Sequence, residues 1–110
     1  MSDTSIEVRF AYGPGSVVNE ASLVHLLRDA AVEVLDRDHI DVIERPSMGG
    51  EDFAFYLNTV PGAMFRLGCA SDDSNSHPLH SPYFDIDERA LAIGAKVLAE
   101  AAVMWKPASA

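Results

Sequence analysis

The chain has 110 residues, 48% apolar and 23% charged, which is the composition of one ordinary globular domain and excludes a disordered tail. Seventeen acidic against 8 basic side chains give a formal charge of −9, a field that repels polyanions, so neither nucleic acid nor a membrane surface is an expected partner. Cys69 stands alone; this excludes an internal disulfide and, with an N-terminus that lacks an apolar targeting stretch, predicts a reducing, cytoplasmic setting.

Residues Ser5 to Tyr12 alternate Ile6, Val8, Phe10 and Tyr12 with Glu7, Arg9 and Ala11. That is the period of a half-buried strand. It ends at Gly13-Pro14-Gly15-Ser16, which reads as a turn or interdomain hinge. Asn19 is the expected N-cap of an amphipathic helix, with Glu20 in the first turn and apolar positions at Leu23, Leu26, Leu27, Ala30, Ala31 and Val34. His39 to Glu44 places Ile40, Val42 and Ile43 in a short predicted strand closed by Pro46.

Ser47-Met48-Gly49-Gly50 is a tight loop leading into Glu51-Asp52, an acidic pair suited to the first turn of a short helix from Phe53 to Leu57. Pro61-Gly62 breaks that helix. Ala63 to Ala70 then carries Met64, Phe65, Leu67 and Cys69 in a strand-length run. Ser71 to Pro82 has few ladder-forming residues and is a loop of functional length. Asp85 and Glu88 have capping-box spacing, with Asp87 as a rival cap, before a last helix whose expected buried face is Leu91, Ala95, Leu98, Ala102 and Trp105. The order β-α-β-α-β-α predicts an α/β fold, a small sheet flanked by helices. Its two open edges predict a homo-oligomer or neighbours supplied from elsewhere.

Of the four histidines, His25 in the first helix and His39 beside Asp38 read as surface or packed residues. His77-Pro78-Leu79-His80-Ser81-Pro82 differs, because two imidazoles three apart lie in a loop whose prolines restrict the backbone. Even so, this loop supplies at most two ligands, and a metal site needs three or more per ion. Gly49-Gly50 before a helix start could let a ligand approach the backbone, or could be a plain turn.

Three segments in order, Met48-Gly-Gly-Glu-Asp-Phe-Ala-Phe-Tyr56, Val60-Pro-Gly-Ala-Met-Phe-Arg-Leu-Gly68 and Leu79-His-Ser-Pro-Tyr-Phe-Asp-Ile-Asp-Glu88, resemble the C-terminal motifs of the metal-dependent amidohydrolase peptidases. That family includes hippurate hydrolase, N-acyl-amino-acid deacylases and the indole-acetyl-amino-acid hydrolases. The resemblance implies residues 1–15 as the last strand and hinge of a lid or dimerisation domain, and 16–110 as the C-terminal part of a zinc-peptidase-like catalytic domain. It further implies amide hydrolysis at two bridged zinc or manganese ions, with His80 as a metal ligand and Gly49 and Gly50 as substrate contacts. The family's remaining ligands and its glutamate base match nothing in this chain, so no catalytic residue is assigned. The expectation is a fragment inactive alone until an N-terminal half and an N-acyl amino acid substrate are supplied, or else a non-catalytic oligomeric or binding module.

Overall fold

Fourteen residues of unbroken helix-forming sequence, Ala21–Val34, form α1, and its apolar positions face inward as their 3.6-residue spacing requires. Glu20, not Asn19, caps it: the Glu20 carboxylate accepts from the Leu23 N–H at 2.9 Å. The Ser22 hydroxyl and N–H, followed by the Leu23 N–H, hold that carboxyl below its ordinary range. A single 3-10 turn, Arg37–His39, follows, with the Asp36 carboxylate bonded to the Asp38 N–H and to His39 Nδ1. His39 and His25 both lie at the surface, in line with their reading from sequence. The short helix α2 spans Phe53–Leu57, and α3 spans Arg89–Met104. The computed structural model describes residues 3–72 and 76–107.

The α/β expectation is overturned, because the described residues contain three α-helices and no strand. All three predicted strands fail for the same physical reason: a ladder exists only between two extended backbones lying side by side. Residues 5–12 stand clear of the rest, with Ile6, Val8, Phe10 and Tyr12 exposed, and Val42 and Ile43 are exposed as well.

Residues 63–70 are held down by helix ends instead of a neighbouring strand. The Glu20 N–H donates to the Gly62 carbonyl at 2.9 Å. Asn19 grips Met64 from both sides, its amide donating to the Met64 carbonyl at 3.1 Å and its side-chain oxygen accepting from the Met64 N–H at 3.0 Å. This pair satisfies the groups a strand partner would have taken. Further along, a Cβ on Gly94 would lie 2.9 Å from Leu67 Cδ2, so the missing side chain on α3 is what lets this segment lie across the helix.

The core is the contact between α1 and α3. The buried apolar residues are Ala30, Ala54, Ala90, Val97 and Ala101, with Val97 the single large side chain fully enclosed among the described residues. Here too the sequence reading is corrected. α3 buries the Ala90, Val97, Ala101 face and leaves Leu91, Leu98 and Trp105 more than half exposed. Both faces are apolar, so periodicity cannot say which one α1 will take. The radius of gyration is 19.1 Å, against roughly 13 Å for a compact domain of this length. Among the described residues the molecule is a helical pair flanked by long segments without regular structure.

Candidate functional site

The loop from Ala70 to Ile86 carries both site histidines and is closed at its neck by one backbone bond, the Asp87 N–H donating to the Cys69 carbonyl at 2.7 Å. Residues 73–75 of this loop lie outside the described part. Within it, the Ser81 N–H donates to the Pro78 carbonyl at 3.2 Å, and the Phe84 N–H donates to the Ser81 carbonyl at 3.1 Å. The turn from Pro78 to Ser81 has its third residue, His80, at φ 70. A positive φ there is the mark of a type II turn, whose usual occupant is glycine. Positive φ is uncommon outside glycine, although histidine, like the Asp36 that also adopts it at φ 104, is among the residues that tolerate it. His80 is exposed.

The other predicted site residues behave differently. His77 packs its ring on Tyr83, centroids 5.8 Å apart. Together with Ser71, Asp85 and Ile86 these two line an open cleft of about 320 Å³. His80, Gly49 and Gly50 are not part of it. Sequence reasoning missed Tyr83 and Ser71, since a loop has no period to report which side chains meet. Gly49 and Gly50 both have ordinary negative φ, and a Cβ on either would meet only ordinary contacts at 3.5 Å, Ser47 Oγ for Gly49 and Pro14 Cγ for Gly50. Neither backbone angle nor internal crowding requires glycine at these two positions. The space a Cβ on Gly50 would take is bounded by Pro14, so the predicted pocket loop lies near the predicted hinge.

At the loop neck, Asp87 settles which acid caps α3. Its carboxylate accepts from the Arg89 N–H at 3.0 Å and pairs with the Arg89 guanidinium, while Asp85 bonds only the adjacent Ile86 N–H. Glu88 makes no side-chain cap bond. The guanidinium, followed by the Arg89 N–H, holds the Asp87 carboxyl down to about 2 from 3.8. A depressed acid contributes stability that is present above its ordinary value and lost as pH falls through its folded value. Helix stability in wild type is therefore expected to drop between about pH 4 and pH 2 by more than in Asp87→Asn, as read from melting midpoints by circular dichroism. Equal acid sensitivity in the two proteins would refute the role given to this pair.

The described residues contain no group of three or more His, Cys, Asp or Glu side chains able to hold a metal ion. One exposed imidazole can fill one position of a site, so the donors present do not fit a bridged metal pair. No described helix is long and apolar enough to cross a membrane.

Comparison with known proteins decides the family. The sequence profile of peptidase family M20/M25/M40 matches residues 4–104. The chain belongs to this family. M20 proteins are metal-dependent. The chain is 45% identical over 97 residues to a protein of Synechocystis named as a probable hydrolase, covering 87% of this chain and 25% of that protein. It is 36% identical over 97 residues to an IAA-amino acid hydrolase of Arabidopsis thaliana, covering 87% of this chain and 20% of the relative. With an N-acetyl-L-cysteine deacetylase of Bacillus subtilis it shares 36% over 96 residues, 86% of this chain and 21% of the relative. The chain thus spans about a quarter or less of the length of these M20 relatives. No solved structure matches it.

Proposed function

We propose that this chain is the C-terminal part of an amidohydrolase that cleaves the amide bond of N-acyl amino acids, and that it is inactive unaccompanied. The observation that carries the reading is His80, an exposed imidazole held at a glycine-type turn position inside the family-matched segment. Its role is to supply one ligand to a zinc or manganese centre whose other donors come from the rest of a full-length protein. Gly49 and Gly50 suit a surface that a substrate approaches, because nothing inside the chain calls for glycine there. Support for the substrate class comes from the relatives whose names state one, an N-acetyl-L-cysteine deacetylase and an IAA-amino acid hydrolase. On this reading residues 1–15 belong to a lid or dimerisation domain and 16–110 to the catalytic domain, in a cytoplasmic protein.

A second reading, a non-catalytic association module, is favoured by the many exposed apolar side chains. One assay separates the two. The pure chain with zinc or manganese is expected to release no free amino acid from N-acetyl amino acids. Co-expression with the remaining length of the Bacillus deacetylase is expected to give measurable turnover. Turnover by the chain alone would overturn the claim of inactivity, and a folded but silent assembly would favour the association module.

A further inference from the structure

The open cleft on the loop combines an apolar wall with unspent polar groups. His77 and Tyr83 hold their rings 5.8 Å apart and tilted by 43°, and Ile86 adds an aliphatic surface. Tyr83 is 74% exposed, so its ring is open to an approaching group. Asp85 spends one carboxylate oxygen on the Ile86 N–H at 2.8 Å. Among the described residues no other bond reaches this carboxylate, and none holds the Ser71 or Tyr83 hydroxyl. In water these groups bond to solvent, which a ligand can replace.

Charge selects the sign of that ligand. Asp85 is the one acidic side chain lining the cleft among the described residues, and no lysine or arginine lines it. The sequence between Cys69 and Glu88 carries Asp72, Asp73, Asp85 and Asp87 and no lysine or arginine at all. Arg89, the next cation along the chain, is committed to Asp87. A carboxylate or phosphate would meet repulsion here. The apolar wall then chooses among cations. A small inorganic ion keeps its water and covers none of that wall. An ammonium on an alkyl chain meets the carboxylate while its methylenes lie on Tyr83 and Ile86.

We propose that this cleft is a binding site for an alkylammonium group. Asp85 is the counter-charge, the Tyr83 ring is the face over which the cation lies, and the Ser71 hydroxyl accepts one ammonium N–H. The cleft volume of about 320 Å³ stands at the small end of ligand sites, which suits an ammonium with a few methylenes. One exposed carboxylate and one exposed ring give weak binding, with a dissociation constant on the order of 10 mM. The proposal rests on the cleft alone. It stands or falls separately from the hydrolase reading, since no turnover enters its test.

Amide chemical shifts of the whole chain, followed by NMR as n-butylammonium chloride is raised to about 100 mM at constant ionic strength, test it. Saturable shifts are expected at Ser71, His77, Tyr83 and Ile86. Asp85→Asn keeps an oxygen for the Ile86 N–H and is expected to weaken binding about four-fold. Tyr83→Leu is expected to weaken it about three-fold, while Tyr83→Phe, which keeps the aromatic face, stays within about two-fold of wild type. The neutral counterpart n-butanol is expected to give no saturable shift at these positions. Nα-acetyl-lysine amide carries the same ammonium on a peptide-like body. Tighter binding of it than of n-butylammonium assigns the site to a lysine side chain, and equal or weaker binding to a free amine. No saturation with either ammonium probe, an equal response to n-butanol or to sodium, unchanged affinity in Asp85→Asn, or equal affinities in the two Tyr83 variants would each overturn the proposal.

Discussion

Replacing His80 by asparagine in the proposed full-length hydrolase is expected to reduce turnover by more than about 100-fold, because side chains that merely orient a metal ligand already cost 10–100-fold when removed. Asparagine is the informative substitute. It tolerates the left-handed backbone that His80 adopts at φ 70, so the turn survives while the imidazole is lost. A second readout keeps the test specific. Zinc affinity of the completed protein, measured by calorimetry, is expected to fall in parallel, whereas the melting temperature is expected to stay within a few degrees of wild type. Near-normal turnover and zinc binding in His80→Asn would show that the imidazole is no ligand. A large loss of melting temperature with unchanged zinc affinity would make it a turn residue only.

The second large effect belongs to the helical pair. Val97→Asp is expected to abolish cooperative helical melting of the chain. Val97 is 1% exposed, and the other buried apolar residues of the described part are alanines, so no other enclosed side chain of size stabilises the α1–α3 contact. An uncompensated charge placed there costs several kcal/mol, on the order of 3–5 as judged from broken buried pairs. Stability of a whole domain is only about 5–15 kcal/mol, and this extended chain belongs at the low end. Leu98→Asp is the matched control, one residue along the same helix and 59% exposed. Its melting is expected to stay close to wild type. Similar behaviour of the two variants would mean that α3 does not meet α1 through the Ala90, Val97, Ala101 face.

The exposed faces also explain why family membership and a stable isolated fold are separate matters here. α3 is apolar on two sides, one engaged with α1 and the other, with Leu91 and Leu98, open. A helix of that kind is made to be covered on both sides. In the proposed full-length hydrolase the open side has a neighbour; in the isolated chain it is a solubility liability.

What the sequence determined by itself is local: the span of α2, the inward face of α1, the surface character of His25 and His39, and the family, because each rests on residues near one another along the chain. The loop motif around His80 was legible for the same reason, as two prolines and two imidazoles fall within six residues. Tertiary structure alone decided the rest. Whether residues 5–12, 40–43 and 63–70 become strands depends on a second backbone alongside, and none is there among the described residues. Asn19 was legible as a polar residue before a helix, but its choice of Met64, 45 positions away, over the helix N-terminus needed the chain's path. The left-handed turn at His80 likewise followed from hydrogen bonds around Ser81, which spacing along the chain does not encode.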